Sequence, residues 1–190
     1  MKNNPRKEQI LKTAQKRFAK HGLSKTTIEE IARDLRIGKA TVYHYFSSKE
    51  DIFYEVLSGE IDRYLEELTE TLSKDESDFI IKITGYLNVK ENLDEKYPLI
   101  SQLLFLFFRD QALEKDFEIQ NILIEKESNL LLEFFKLTFN KKNIDSSICR
   151  FLVYQTWSFV LIRKLNPELK FSDQHFLAAF IAKLYNLYLG

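Results

Sequence analysis

Side chains that suit nucleic-acid chemistry are concentrated in residues 26–49, which read TTIEEIARDLRIGKATVYHYFSSK. Lysine and tyrosine supply long donors that reach phosphate oxygens, and the methyl groups of alanine and threonine can meet the methyl group of thymine. His44 can donate to a base or a phosphate or accept from one, and its protonation would make that contact mildly pH-dependent. The stretch therefore predicts a surface that contacts double-stranded DNA.

Two short helices are needed to position these side chains. The apolar positions of the first helix recur at helical spacing: Ile28, Ile31, Ala32 and Leu35. The residues available for its N-cap and capping box are Thr26, Thr27, Glu29 and Glu30. Residues 36–38 break the pattern, and residues 39–46 resume it with Val42 and Phe46 inward. The pattern predicts a helix-turn-helix, although an ordinary helical hairpin would show the same spacing.

The combination of motifs resembles the DNA-binding domain of TetR-type transcriptional regulators. It consists of TTIEEIA, then I-x-K-A-T-V-Y-H-Y-F, then S-K-E, and the resemblance covers residues 6–61. The resemblance implies an all-α protein in which a three-helix DNA-binding domain is joined by a long helix to a helical bundle. It also implies a homodimer formed through the last two helices, and a small-molecule inducer bound in the bundle.

Site residues follow from the resemblance position by position. The residues that match phosphate-contacting positions are Thr27, Lys39, Tyr43, Tyr45 and Lys49. Those that match positions on or near the floor of the groove are Gly38, Ala40, Thr41 and His44. Either tyrosine would also fit the small core of the domain. Lys49 would also fit a role confined to the first turn of the following helix, where a lysine is mildly unfavourable.

The turn departs from the family pattern at two residues. Arg36 occupies a position where the family usually has glycine and where the backbone is often left-handed, which costs a non-glycine residue some energy. Gly38 occupies the N-cap of the second helix, where the family usually has serine or threonine. We expect Arg36 to compensate by contacting a phosphate itself.

Composition sets the broad class of the protein. The chain has 190 residues, of which 45% are apolar and 29% charged, and it contains five glycines and three prolines. These values favour a globular, all-helical protein. The single cysteine, Cys149, excludes an intramolecular disulfide. The N-terminal MKNNPRKEQ has no apolar segment of the signal-peptide type, so we expect a cytoplasmic protein that does not enter a membrane.

Charge is divided unequally along the chain, although the formal net charge is zero. Residues 1–49 hold twelve basic and four acidic side chains, a net charge of +8, which leaves −8 for residues 50–190. This asymmetry predicts a DNA-binding domain over 1–49, with its helix-turn-helix motif over 27–46, and an effector-binding and dimerisation domain over 50–190. Two ordinary solvated surfaces would be the alternative interpretation.

Helical periodicity predicts about nine helices in all. Outside the motif, the predicted spans are 6–21, 47 or 48 to 72, 79–87, 99–110, 116–139, 146 or 147 to 165, and 172 or 173 to 189. The segment LISQLLFLFF, residues 99–108, also fits a buried strand by pattern alone, but its leucine content favours a helix.

The aromatic residues of the second domain suggest where an effector binds. The predicted pocket residues are Phe79, Ile83, Tyr86, Leu104, Phe107, Phe108, Arg109 and Phe134, with Arg109 as the polar group that orients the ligand. The same apolar residues would fit a plain packed core.

The last two predicted helices are apolar on more than one face, which indicates burial by both the protein's own core and a partner. The predicted dimer-interface residues are Phe151, Tyr154, Trp157, Phe176, Phe180, Lys183, Leu184 and Leu187. A deeply buried helix pair within a monomer is the alternative.

Enzyme chemistry finds no support in these residues. The histidines His21, His44 and His175 are scattered, with no spacing for a metal, and there is no glycine-rich phosphate loop or nucleophile motif. We expect no catalytic residues, no metal and no cofactor. The sequence favours a ligand-responsive repressor that binds a palindromic operator. The alternatives are an architectural or nucleoid-associated helix-turn-helix protein without an effector, and a purely structural helical dimer.

Overall fold

The computed structural model describes residues 4–73, 78–108, 114–141, 143–166, 181 and 183. Every regular element in these ranges is a helix, which confirms the all-α prediction. Apart from residues 181 and 183, the helix predicted from 172 or 173 to 189 lies outside them. Within the described ranges, no helix combines the length and the apolarity that a membrane span requires.

Three helices form the N-terminal unit, residues 4–46, which we call the head: α1 Pro5–Lys25, α2 Ile28–Asp34 and α3 Lys39–Tyr45. The Asn4 side chain caps α1, accepting from the backbone N–H of Arg6 at 3.1 Å. Thr27 and Glu30 form the predicted capping box at the start of α2. The helices share a small apolar core whose fully buried members are Ile10, Ala14, Phe18, Ile31 and Val42.

α1 is interrupted at Gly22. Its φ of 76° and ψ of 169° are non-helical, so the chain turns there before a last helical segment runs to Lys25. A positive φ is readily adopted only by glycine. The predicted end of the first helix at this glycine therefore matches a break in the helical backbone conformation.

The remaining helices form the body: α4 Lys49–Ser73, α5 Phe79–Glu91, α6 Leu93–Lys96, α7 Pro98–Phe108, α8 Glu114–Phe139 and α9 Ser146–Leu165. α4 packs on α1 in the head and on α5, α7 and α8 in the body. A β-carbon on Gly85 would lie 2.7 Å from Thr71 Cγ2, so glycine allows α5 to approach α4 closely. The long helix is thus the element shared by both units, as the sequence predicts.

The segment between α5 and α7 differs from the sequence-based expectation. α5 continues four residues beyond its predicted end, and the short helix α6 occupies part of the segment predicted to be a polar break. Leu93 has no exposed surface and fixes α6 to the core. The strand alternative for residues 99–108 is wrong, because this segment is the helix α7.

A buried carboxylate joins α4, α7 and the head. Glu60 has no exposed surface, and its Oε1 accepts the backbone N–H groups of Leu99 at 2.7 Å and Ile100 at 3.0 Å. Gln15 of α1 donates to its other oxygen at 3.3 Å. These backbone N–H groups belong to the first turn of α7, which has no partners for them within its own helix. Glu60 therefore caps α7 from a neighbouring helix.

We expect Glu60→Ala to lower the free energy of unfolding by about 3 kcal/mol, because it leaves two buried N–H groups without an acceptor. Urea unfolding followed by circular dichroism measures the change. Glu66→Ala, an exposed position on the same helix, is the matched control, with an expected change within about 0.5 kcal/mol. Equal effects of the two substitutions would contradict this account of the α7 N-terminus.

Candidate functional site

α3 has one buried face and one exposed face. Val42 is fully buried and Phe46, which follows the helix, is 4% exposed, as predicted. The exposed residues on and just before the helix are Gly38, Lys39, Ala40, Tyr43 and His44, and Thr41 and Tyr45 are half-buried. All seven belong to the predicted DNA-contacting set. The helix therefore presents a short row of small and polar side chains to solvent.

The two tyrosines of α3 differ in their surroundings. Tyr43 is 47% exposed, so its ring does not serve the core. Tyr45 packs partly against the core, and its ring meets that of His44 edge-to-face with 5.0 Å between centroids. Tyr45 is thus half-buried, with one part of the side chain packed against the core and the other part accessible to solvent. Whether either tyrosine contacts phosphate stays a prediction.

The turn before α3 adopts the left-handed backbone conformation that is expected at Arg36 and that is unfavourable for a residue with a side chain. Arg36 has a φ of 55°, in the left-handed region that a side chain disfavours. Ile37 continues the chain by donating its backbone N–H to the carbonyl of Ala32 at 3.0 Å. Gly38 is the N-cap of α3, and no side chain caps this helix. Arg36 is exposed, so its guanidinium is accessible to a phosphate.

Ion pairs hold the surface of the head. Arg17 of α1 makes two hydrogen bonds to Asp34, at 2.6 and 2.8 Å, and lies 3.3 Å from Glu30. Lys39 pairs with Glu29 of α2, and this hydrogen bond lowers the pKa of Glu29 and raises that of Lys39. Both partners of the second pair are largely exposed. The Lys39 ammonium is therefore shared with Glu29, and its contact with a DNA phosphate stays a prediction.

The side chain of Lys49 is directed toward the end of α1, whereas the resemblance implies that it contacts a DNA phosphate. Its ammonium group donates to the backbone carbonyls of Leu23 at 3.0 Å and Thr26 at 3.3 Å, at the end of α1. Among the described residues, no carboxylate forms an ion pair with it. Lys49 also lines a cleft of about 330 Å³ on the head, together with Thr27, Tyr43, Ser47 and Ser48. It is thus shared between the end of α1 and the predicted DNA-contacting surface.

The predicted effector residues are packed rather than gathered around a single space. Ile83 and Tyr86 are each 1% exposed and Leu104 is 4% exposed. The Phe79 ring stacks on that of Phe134 with 5.9 Å between centroids, in a cluster completed by Phe135 and Phe139. Arg109 and the side chains of Phe107 and Phe108 lie outside the described part of the chain. The effector pocket at these residues stays a prediction.

A fully buried ion pair lies at the centre of the body, between α5, α8 and α9. Lys90 Nζ is 2.6 Å from Glu127 Oε1 and 2.7 Å from Thr156 Oγ1, and neither charged side chain has exposed surface. Tyr86 and Trp157 also donate to the carboxylate, the indole N–H at 2.9 Å. Burial lowers the pKa of Lys90, and the Glu127 carboxylate opposes that shift.

The sequence did not single out this cluster. Lys90 falls in the segment interpreted as a polar break, and Glu127 is one of many acids along α8. The available signal is weak: Tyr86 and Lys90 are four residues apart and therefore lie on one face of a helix.

We expect Glu127→Gln to destabilise the protein more than Lys90→Met. Removing the carboxylate strands a buried ammonium, at a cost of about 3–5 kcal/mol, whereas without the ammonium the carboxylate keeps the Tyr86 and Trp157 donors. Thermal and urea unfolding measure both changes. Glu125→Gln and Lys126→Met are exposed controls on α8. A larger loss for Lys90→Met would contradict this assignment.

The predicted dimer residues lie on two different faces of α9. Phe151 and Tyr154 are 53% and 41% exposed, and Ile162 and Leu165 continue the same exposed apolar face. Trp157 lies on the opposite face, 3% exposed, where it donates to Glu127. The prediction of Trp157 as an interface residue is wrong, because its side chain is buried in the protomer's own core.

The other predicted dimer residues fall at the C-terminal end of the chain. Lys183 is exposed. Phe176, Phe180, Leu184 and Leu187 lie outside the described residues. The interface as a whole stays a prediction.

Comparison with known proteins connects these features. The model of the family "Bacterial regulatory proteins, tetR family" matches residues 10–56. The regulator HbdR of Aromatoleum sp. (strain CIB) is 36% identical over 63 residues, 33% of this chain and 28% of that protein. The transcriptional repressor KstR2 of Mycobacterium tuberculosis is 39% identical over 59 residues, 31% of this chain and 30% of that protein. The matched segment therefore spans less than a third of these two relatives.

Similarity of fold to a solved structure covers nearly the whole chain. A solved transcriptional regulator from Cytophaga hutchinsonii is 26% identical, with a TM-score of 0.66 over 96% of this chain and 95% of that one. The arrangement of helices in both the head and the body is thus similar to that of this regulator.

Proposed function

We propose that this chain, which belongs to the TetR family of bacterial regulatory proteins, is a transcriptional repressor controlled by a small molecule. In this proposal it binds a palindromic DNA operator in the cytoplasm as a homodimer. Residues 1–49 bind DNA, and residues 50–190 bind the effector and the second protomer. KstR2 is a repressor by name, and we carry that direction of control to this chain as part of the proposal.

The exposed face of α3 is the observation that carries the proposal. Small side chains at Gly38 and Ala40 allow the helix backbone to approach the floor of a major groove. In this proposal Thr41 and His44 meet base edges, and Arg36, Lys39 and Lys49 supply the positive charge for the neighbouring phosphates. Such an arrangement suits a recognition helix, in which base contacts specify the sequence and phosphate contacts fix the register.

The small size of the head supports the proposal of a homodimer. One recognition helix reads only a few base pairs, so useful specificity requires two heads on two half-sites about 34–36 Å apart. The exposed apolar face of α9, with Phe151, Tyr154, Ile162 and Leu165, supports a dimer surface, since contiguous exposed apolar side chains mark interaction sites.

Control by a small molecule requires a ligand that binds one arrangement of the body better than another. α4 begins beside the head and extends through the body, so a shift of this helix would change the spacing of the two heads. A displacement of a few ångström is enough to misplace one half-site in the groove.

We expect Arg36→Ala and His44→Ala to weaken DNA binding in different ways. Loss of a phosphate contact at Arg36 lowers affinity for all duplexes similarly and reduces the salt slope by about 1. Loss of a base contact at His44 lowers affinity for the operator by about 5- to 100-fold and affinity for random DNA little. Fluorescence anisotropy at several salt concentrations, with DNA flanking the protein's own coding region and a random duplex, separates the two effects.

Two outcomes of the binding experiment count against the proposal. Equal affinity of the unmodified protein for flanking and random DNA would remove the claim of sequence-specific regulation. An operator affinity unaffected by both substitutions would exclude α3 and its turn as the reading surface. Glu66→Ala, an exposed site far along α4, serves as the control for general effects of substitution.

We expect Ile162→Glu to weaken the homodimer by at least about tenfold, because a charge placed in an apolar interface is desolvated there. Sedimentation equilibrium measures the dissociation constant. Ile81→Glu is the matched control, since Ile81 and Ile162 are 52% and 49% exposed on different helices. Equal effects of the two substitutions would move the interface away from α9.

A further inference from the structure

A cavity of about 620 Å³ lies where the head meets the body. We call it the junction cavity. Its walls come from the last part of α1, the first residues of α4, the second half of α7 and the first turn of α8; they include Lys25, Lys49, Phe53, Phe105, Leu106 and Asp116. The volume falls within the range of small-molecule sites, roughly 300–1,000 Å³. A ligand in this space would touch the head and three helices of the body at once.

The junction cavity has an apolar floor, and the ammonium group of Lys49, which lines it, has a hydrogen-bond donor without a protein acceptor among the described residues. Phe53, Phe105 and Leu106 supply the apolar surface. An ammonium group has three donors, and Lys49 gives two of them to the carbonyls of Leu23 and Thr26. Since no carboxylate among the described residues forms an ion pair with Lys49, its third donor is available to a ligand in the cavity.

Two acidic residues, Asp116 and Glu50, also line the cavity. Asp116 is 2% exposed and accepts the Tyr54 hydroxyl at 3.1 Å. Glu50 lies in the first turn of α4, where the helix stabilises a negative charge. On the head side, His21 and Lys25 also line the space. The positively charged side chains of the lining are Lys25 and Lys49, and Lys49 keeps one donor for an anionic ligand.

Lys49 connects this cavity to the DNA-contacting surface. The same side chain lines the junction cavity and the head cleft that holds Thr27, Tyr43 and Ser48. A negative group bound to Lys49 from the cavity side neutralises a charge that the proposed function assigns to DNA phosphate. Binding in the cavity and binding of DNA thus compete for one ammonium group.

We propose that the effector site is the junction cavity, which residues of both 1–49 and 50–190 line, instead of the pocket predicted within 50–190, and that the effector is a small amphipathic acid. Its anionic group accepts from Lys49, and its apolar part lies against Phe53, Phe105 and Leu106. This inference rests on the proposed function for its regulatory consequence, although the ligand site itself does not depend on DNA binding.

The same ligand would act on the joint between the two units. Gln102 of α7 donates to the carbonyls of Phe18 and Ala19 in α1 at 3.0 and 3.2 Å, and Gln102 lines the junction cavity. A molecule wedged between α1 and α7 strains or replaces these two hydrogen bonds. Loss of charge at Lys49 and a change in the α1–α7 contact would both weaken DNA binding.

The test uses two fluorescent probes that share an aromatic framework. Anilinonaphthalene sulfonate carries a negative charge, and phenylnaphthylamine lacks it. We expect the full-length protein to bind the anionic probe at least about tenfold more tightly, since a charge-assisted hydrogen bond contributes that much. Decanoate should displace the probe, and decanol should do so more weakly. An equal affinity for both probes would overturn the assignment of an acid.

Leu106→Trp locates the site by filling the cavity from a half-buried position. The matched control is Leu137→Trp, an 81% exposed leucine that lines a separate groove of about 500 Å³ between α4, α5 and α8. We expect Leu106→Trp to abolish probe binding and Leu137→Trp to preserve it. Probe binding lost only in Leu137→Trp, or kept in both, would place the site elsewhere.

Lys49→Gln provides a second variant, which removes the positive charge without filling the cavity. We expect it to remove the preference for the anionic probe while keeping the affinity for the neutral one. An unchanged preference would overturn the role of Lys49.

Release of DNA by decanoate is then measured separately on the unmodified protein. If the probe results hold and decanoate does not release DNA, the cavity is a ligand site and the regulatory step fails. If the protein does not bind DNA at all, the proposed function fails, while the probe results still decide the cavity.

Discussion

The carboxylate of Glu60 constrains the relative positions of three helices. It receives two backbone N–H groups from the first turn of α7 and a side-chain amide from α1, while its own backbone is part of α4. A buried negative charge is tolerated only when donors satisfy it, and the positive end of a helix is a favourable place for it. Burial nevertheless raises the pKa of Glu60, so the donors only partly offset the loss of solvent. Head and body therefore meet at a polar contact that has to be satisfied as a whole.

A second buried charge organises the part of the body farther from the head. The Lys90–Glu127 pair joins α5, α8 and α9 through a carboxylate, a hydroxyl and an indole. A buried ion pair of this kind adds little net stability compared with a well-packed apolar core, but it strongly disfavours alternative packings that separate its members. The three helices are thereby held in one register. The apolar outer face of α9 is presented in a defined orientation as a result.

The sequence was most informative where local rules decide the structure. The inward positions of Val42 and Phe46 and the apolar face of α4 follow from spacing alone, and the structure has both. Spacing also predicts a capping box at the start of α2, and the structure selects Thr27 over Thr26 and Glu30 over Glu29. Glu60 and Lys90 could not be singled out, because a buried charge is recognisable only once the partners that satisfy it are known. Those partners are distant along the chain, as with Leu99 for Glu60 and Thr156 for Lys90. Trp157 illustrates the same limit. Its hydrophobicity predicts burial between helices, but only the hydrogen bond from its indole N–H to Glu127 shows that these helices belong to its own protomer and not to a partner.

The interruption at Gly22 gives α1 two negative ends in place of one. The main part of the helix ends with the carbonyls of Phe18 and Ala19 directed to a neutral amide, and the short last segment ends with those of Leu23 and Thr26 directed to an ammonium group. Each set of peptide dipoles thus faces its own donor, one on α7 and one at the start of α4. Hydrogen bonds of this kind keep most of their strength over small changes of angle, whereas interlocked apolar side chains do not. The joint between head and body therefore combines two tolerant polar contacts with the less tolerant packing of Phe18 against Phe53, whose ring centroids are 5.3 Å apart, and that packing limits any rotation of the head.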